Sequence, residues 1–418
     1  MNITLNYKSK WVYYLALFFI ILMLYRNSLL PFGLSLGGKE VYVVSFLSFG
    51  MLFVSFDFNQ ILNQDIIYHF KKNFAFISLF FLLFISTILF NFQELTNKYY
   101  LIRNFAFIFY FVIYFVIFPK FLIQNQQYFR KFIFLIVCYG GITGSFALFL
   151  LFANLNPPGQ YHNFAISYIW HPNISAFVYT VSIIATIYFL HSNFKNLSST
   201  NKTFAVIALS IQVLSLLLTY CRAGVIGVII GISIYFTIVN KRKIILLLPF
   251  LAIVVPIIIR KFFLLKGLAS VGSRYILIIS AIHMIEDSSK RFLWGYGVTD
   301  TFRVYKQYMY IDSTLQGNIN NPHNTLLSLV MMFGIVFTIV LLTYIVYLLI
   351  NILVRSWKIK NVRDRRIFAF LISSLVALIV HNLFDGQIIM PEFFCMQFFL
   401  IYLGLTRLLI SEKTKLEL

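Results

Sequence analysis

Four polar residues from separate parts of a very apolar chain carry the side chains for one reaction: Arg222, Arg274, His323 and Asp385. His323 stands in Asn321-Pro322-His323-Asn324, which closes the long polar segment of the sequence. An imidazole titrates near neutrality, so it can act as a general base toward a hydroxyl nucleophile. A guanidinium presents a planar fork of donors that fits a phosphate. A lone histidine at a helix start is more often a cap or an interface residue. Two arginines on the same side of the chain tip the balance toward chemistry.

Each residue also has a plainer reading. Arg222, in Thr219-Tyr220-Cys221-Arg222-Ala223-Gly224, occupies a hairpin too tight for a free loop, so its guanidinium is drawn to the bundle, where it binds an anion or snorkels to headgroups. Arg274 follows Gly272-Ser273. With Ser273 as N-cap, it would sit in the first turn of a short helix over about 275–285 and form an anion site with free backbone N–H groups. The alternative is a solvated charge on an amphipathic helix. His381 and Asp385, in His381-Asn382-Leu383-Phe384-Asp385-Gly386, are supporting candidates. Asp385 would orient His323 or pair with an arginine, and a plain salt bridge or helix-end turn is its equal alternative. Asn324 and His171, in Trp170-His171-Pro172-Asn173, complete the supporting set. Tyr305, Tyr308 and Tyr310 follow Gly295-Tyr296-Gly297 and suit a membrane interface better than sugar stacking.

The elements that must position these residues are membrane spans. The chain has 418 residues, 60% of them hydrophobic and 11% charged, with mean hydropathy +0.86. Apolar runs of about twenty residues predict an all-α polytopic membrane protein. Twelve helices are expected at roughly 11–30, 40–56, 74–91, 103–123, 131–154, 172–190, 203–220, 223–239, 243–261, 324–350, 366–383 and 392–410. A single membrane domain over 1–418 is expected, with a large outer loop at 262–322 that carries a short interfacial helix. The uncharged stretch from Asn154 to His171 reads as a turn-rich outer connection leaning over a cavity. Ala223, Gly227 and Gly231 form a small-residue stripe for close helix packing.

Charge orients the chain. The net charge is +21, and 21 of the 34 Lys and Arg, including Arg407, fall on segments that alternate to one side. The positive-inside rule makes that side cytoplasmic, with both termini inside. Arg222, Arg274, His323 and Asp385 then all lie at or beyond the outer ends of helices. Orientation explains the basic charge better than nucleic acid does, so none is expected as a partner. Cys138, Cys221 and Cys395 have neither disulfide nor metal-ligand spacing. No carboxylate cluster, P-loop or nucleophile elbow is present, so no metal or cofactor is expected. No charged residue falls near the middle of an expected span, which disfavours a transporter of lipid-linked oligosaccharide.

Leu218-Thr219-Tyr220-Cys221-Arg222-Ala223-Gly224, Gly272-Ser273-Arg274, Gly295-Tyr296-Gly297 and Pro322-His323-Asn324-Thr325-Leu326-Leu327, leading into Phe333-Gly334-Ile335, together resemble the O-antigen ligase and polymerase superfamily of bacterial envelope enzymes. The resemblance covers roughly 205–410. Cys221 departs from it, standing where many members have Ser. It implies a metal-independent membrane glycosyltransferase of the GT-C type in the bacterial cytoplasmic (inner) membrane, working at the outer face. The donor it implies is a glycan on undecaprenyl diphosphate, the acceptor another lipid-linked glycan, with membrane lipids and a chain-length regulator protein as further partners. By the same resemblance, Arg222 and Arg274 bind the diphosphate and His323 activates the acceptor hydroxyl. A polymerase is the preferred reading, with a ligase delivering polymer to lipid A core as the alternative.

Overall fold

The protein is described by a computed structural model at residues 78, 85, 111–124, 126–156, 162–166, 171–193, 197–240, 269–297, 300–309, 322–383 and 394–411. Among these residues there are helices and no strands. A π-helical turn at Val112–Ile117 leads into α1 (Phe118–Gln124), followed by α2 (Gln126–Phe152), α3 (Pro172–Asn193), α4 (Ser199–Leu218) and α5 (Arg222–Val239). Then come α6 (Ala269–Glu286), α7 (Ser289–Trp294), α8 (Asp300–Tyr308), α9 (Thr325–Lys358), α10 (Val362–Leu383) and α11 (Phe394–Ser411). Six of them, α2, α3, α4, α5, α9 and α10, are long and apolar enough to cross a membrane, and α11 is a shorter apolar helix. In lipid every backbone polar group must be bonded within the segment, which makes helices the outcome for these runs. The expected spans at 11–30, 40–56 and 243–261 lie outside the described residues, as do most of 74–91 and the start of 103–123.

Helix boundaries shift from expectation for local reasons. Ser198 caps α4 by accepting the Asn201 N–H at 3.2 Å, so the helix begins at Ser199, ahead of the apolar run. Asn361 accepts the Arg363 N–H at 2.9 Å, and α10 begins at Val362. Both helices open on turns rich in charged or polar residues that a hydropathy pattern skips.

The chain divides into two compact units: Met1–Ile113 with Arg274–Thr343 and Ile388–Gln397, and Tyr114–Ser273 with Tyr344–Gln387 and Phe398–Leu418. In the second, α2, α3, α4, α5 and α10 form a bundle. The small-residue stripe does pack. A Cβ on Gly227 would come within 2.8 Å of the Ala377 carbonyl oxygen, and one on Gly231 within 3.1 Å of that of Ser373, so α5 and α10 touch backbone to backbone. Buried hydrogen bonds join α2, α3 and α4. Gln212 donates to the Val137 carbonyl at 3.1 Å, Thr186 donates to Gln212 Oε1 at 3.0 Å, and Ser215 donates to the Gly144 carbonyl at 3.2 Å.

The two ends of this bundle differ. At one end His191 Nδ1 lies 3.0 Å from the Tyr235 hydroxyl, and Arg366 donates to the His191 carbonyl at 2.8 Å. That joins the last turns of α3 and α5 to the first turn of α10, so α10 runs antiparallel to both. The same antiparallel order brings the end of α10 to the start of α5. Arg355 donates to the Ile410 carbonyl, tying α9 to the end of α11. Arg407, counted above with the cations flanking the spans, is buried within α11, its guanidinium 5.3 Å from the centroid of the Phe115 ring. Gly404, where a Cβ would meet the Phe115 carbonyl oxygen at 2.2 Å, allows that approach.

The first unit holds α7, α8, most of α6 and the first part of α9. Its core contains Leu277, Ala281, Met284, Ile285, Tyr296, Tyr305 and Met331. The apolar run of α9 is broken at Gly334, whose φ of 78° and ψ of 170° are non-helical. A break there removes the helical donors that the Met331 and Met332 carbonyls would otherwise receive. The Tyr296 N–H at 2.8 Å and the Gly297 N–H at 2.9 Å take their place.

Candidate functional site

Arg222 is the first residue of α5, separated from the end of α4 by three residues. The turn between them is set by Thr219, whose hydroxyl donates to the Leu216 carbonyl at 2.7 Å and accepts the Cys221 N–H at 3.2 Å. Tyr220 takes a left-handed backbone, φ 51°, to complete it. Cys221 is extended and gives α5 no side-chain cap. Arg222 is half-buried, with its Nε and Nη2 atoms buried, as the tight hairpin requires. A guanidinium so placed at a helix N-terminus adds its charge to the positive end of the helix dipole, which favours an anion.

Residues 162–166, from the stretch expected as an outer connection, are strapped to this turn. The Ala165 N–H donates to the Leu218 carbonyl at 3.0 Å, and the Phe164 ring packs edge-on to Tyr220 with centroids 5.3 Å apart. Asn156 holds the loop closed by donating to the His162 and Phe164 carbonyls at 2.8 and 2.9 Å. Ser175 of α3 donates to the Ile166 carbonyl at 2.7 Å, anchoring its far side.

His381 is fully buried in α10 and meets the first turn of α5. Its Nδ1 lies 3.4 Å from where a Gly224 Cβ would be, and its ring stands edge-on to Phe177 at 5.8 Å. Thr180 of α3 reaches the Gly224 carbonyl at 3.5 Å. His171 precedes Pro172, the first residue of α3, and its carbonyl accepts the Ser175 N–H at 3.0 Å. Arg222, His381 and the opening turns of α3 that follow His171 therefore gather at one end of the bundle. Asp385 lies outside the described residues.

Arg274 and His323 belong to the other unit. Arg274 lies inside α6, which begins at Ala269. The expected N-cap at Ser273 is therefore corrected. Residues 269–272 are already helical, so Ser273 lies within the helix and cannot be its N-cap. His323 follows the buried Pro322 and has a left-handed backbone, φ 47°. Asn324 then caps α9, its Oδ1 accepting the Leu327 N–H at 3.1 Å while its carbonyl accepts the Ser328 N–H at 3.0 Å. A non-glycine residue held at positive φ costs on the order of 1–3 kcal/mol, and such strain clusters at functional sites. No feature of the sequence marks that conformation, although histidine and asparagine tolerate it better than most residues.

The tyrosines of the loop are structural. Tyr305 is fully buried and donates to the Leu277 carbonyl at 2.8 Å, and Tyr296 donates to the Met284 carbonyl at 2.8 Å. Burial pushes the Tyr305 hydroxyl up, and burial followed by the Asp287 charge pushes Tyr296 up. Tyr308 donates to the Asp287 carboxylate, and that hydrogen bond is the main cause holding its pKa above the ordinary tyrosine value. The Arg291 guanidinium lies 5.2 Å from the centroid of the Tyr296 ring. Tyr310 lies outside the described residues. Gly295-Tyr296-Gly297 and Phe333-Gly334-Ile335, two parts of the motif set, are thus two sides of one backbone contact.

A family model described as O-antigen ligase matches residues 205–342. The match starts where the resemblance was expected to start and ends within α9, short of residue 410. It contains Arg222, Arg274, His323 and Asn324. No curated protein and no solved structure matches the chain.

Proposed function

We propose, on the support of the O-antigen ligase family model that matches residues 205–342, that the chain belongs to the O-antigen ligase and polymerase superfamily and is a GT-C-type glycosyltransferase of about twelve spans. It polymerises undecaprenyl-diphosphate-linked repeat units into O-antigen, capsule or exopolysaccharide at the outer face of the bacterial cytoplasmic membrane. The observation that carries this reading is His323, strained at the mouth of a span inside the matched stretch that also holds Arg222 and Arg274.

His323 takes a proton from a sugar hydroxyl of the acceptor. The oxygen attacks the anomeric carbon of the donor glycan, the bond from that carbon to the diphosphate oxygen breaks, and undecaprenyl diphosphate leaves. Arg222 and Arg274 stabilise the charge that grows on the leaving diphosphate. A single displacement inverts the anomeric configuration, and no metal takes part. His381, His171, Asn324 and Asp385 are the supporting residues of this reading. The end of the bundle formed by His191, Tyr235 and Arg366 faces the cytoplasm, in keeping with the cations Arg363 and Arg365 next to Arg366 in the first turns of α10.

The family's description as O-antigen ligase favours a second reading, in which finished polymer moves to lipid A core or another acceptor. Deleting the gene separates the two. Loss of a polymerase leaves single repeat units on the final acceptor, and loss of a ligase leaves long polymer on the carrier lipid. Unchanged surface polysaccharide would remove both.

A further inference from the structure

On the reading of Arg274 and His323 given above, we propose that Tyr296 and Tyr305 are positioning residues that lock the helix bearing Arg274 to the helix headed by His323. Both helices belong to the same compact unit over this stretch. Tyr305 donates its hydroxyl proton to the Leu277 carbonyl at 2.8 Å, less than one helical turn from Arg274. Tyr296 bridges the pair alone. Its hydroxyl donates to Met284 of α6 at 2.8 Å, and its backbone N–H donates to Met331 of α9 at 2.8 Å. Thr301 adds a contact of 3.4 Å to the same Met331 carbonyl, and Tyr305 enters the same core as Leu277, Ala281, Met284 and Met331.

The two hydroxyl bonds differ in what they satisfy. Met284 lies in the last turn of α6, where carbonyls lack helical donors, so the Tyr296 bond fills a vacancy. Leu277 lies mid-helix, and its carbonyl already accepts along the helix. The Tyr305 bond uses the second lone pair of that oxygen and fixes where along α6 the loop engages. Phenylalanine would fill the same core volume without fixing that register. Register matters because a base and a phosphate-holding cation must be placed to within about 1 Å, and an error of that size costs on the order of 100-fold in rate.

The test uses purified full-length Tyr296→Phe, Tyr305→Phe and the double variant, with His323→Asn as control. The donor is the lipid-linked repeat unit extracted from cells lacking this protein, and each variant is assayed well below its own unfolding temperature. The expected result is a kcat about tenfold lower in each single variant and lower still in the double, with the donor KM within about twofold of wild type. Residues that only stabilise the fold would leave kcat unchanged at that temperature. Wild-type kcat in the single variants, with His323→Asn inactive, overturns the positioning role and leaves the reading of the site standing. An active His323→Asn enzyme overturns the reading of the site and the positioning role with it.

Discussion

Gly295 and Gly334 are matched to each other. A Cβ on Gly334 would lie 2.0 Å from the Leu293 carbonyl oxygen, and one on Gly295 would lie 2.3 Å from the Met332 carbonyl oxygen. Their φ values of 78° and 79°, with ψ of 170° and −179°, fall in a region that essentially only glycine occupies. The break in α9 and the turn after α7 therefore exist as one contact, and each glycine permits the other.

Gly334→Ala and Gly295→Ala are each expected to destabilise the protein by about 1–3 kcal/mol from backbone strain, with the displaced carbonyls adding to it. The measurement is the unfolding midpoint of the purified protein. Alanine at either position with a wild-type midpoint would show that the loop does not seat in the break.

Gly227→Val tests whether the close contact of α5 with α10 matters to function. The side chain would meet the Ala377 carbonyl oxygen and push α10, with His381, away from the first turn of α5. The variant is expected to insert in the membrane yet lose at least tenfold in activity, because small displacements of a site cost rate steeply. Membrane-fraction abundance and polymer yield, measured together, separate the two effects.

Among the described residues, the helices α2, α3, α4, α5 and α10 are legible because lipid admits a long apolar run only as a helix, although their ends differ from the apolar runs by several residues. The hairpin at Arg222 was legible from its length, and the stripe of Ala223, Gly227 and Gly231 from its spacing. Other features leave no mark on hydropathy. The run from Thr325 to Lys358 stays apolar through Gly334, so its break is visible only where Tyr296 and Gly297 meet the freed carbonyls. Ser273 looks like an N-cap, but the residues before it are already helical. Arg407 counts as a flanking charge in one dimension and proves to be buried against Phe115 in three. The left-handed backbone of His323 lies between the buried Pro322 and the Asn324 cap, and no residue-type rule fixes that arrangement.

Arg222→Lys keeps the charge and removes the planar fork. If Arg222 holds a diphosphate by paired hydrogen bonds, kcat/KM for the lipid-linked donor should fall about tenfold or more, and raising the donor concentration should recover only part of the loss. Equal kcat/KM in the two proteins would reduce Arg222 to a point charge at the interface.

The loop tyrosines predict a response to alkali. Tyr296, Tyr305 and Tyr308 have hydroxyls held above the ordinary tyrosine value, chiefly by burial in the first two and by the hydrogen bond to Asp287 in the third. A raised folded-state pKa means stability that is intact below the unfolded value of about 10 and is lost as pH climbs through the folded one. Ultraviolet titration of tyrosinate should therefore show these tyrosines resisting ionisation beyond pH of about 10 and ionising as the loop opens. Tyr308→Phe should remove one of these late-titrating groups.

The central claim is that His323 is the base, and His323→Asn tests it most directly. Asparagine tolerates the left-handed backbone that His323 adopts, so the helix mouth is preserved while the proton acceptor is lost. Polymer formation by purified protein from its lipid-linked repeat unit should fall by about 100-fold to 10,000-fold, with unfolding temperature and donor binding close to wild type. Polymer made at the wild-type rate by His323→Asn would contradict the account.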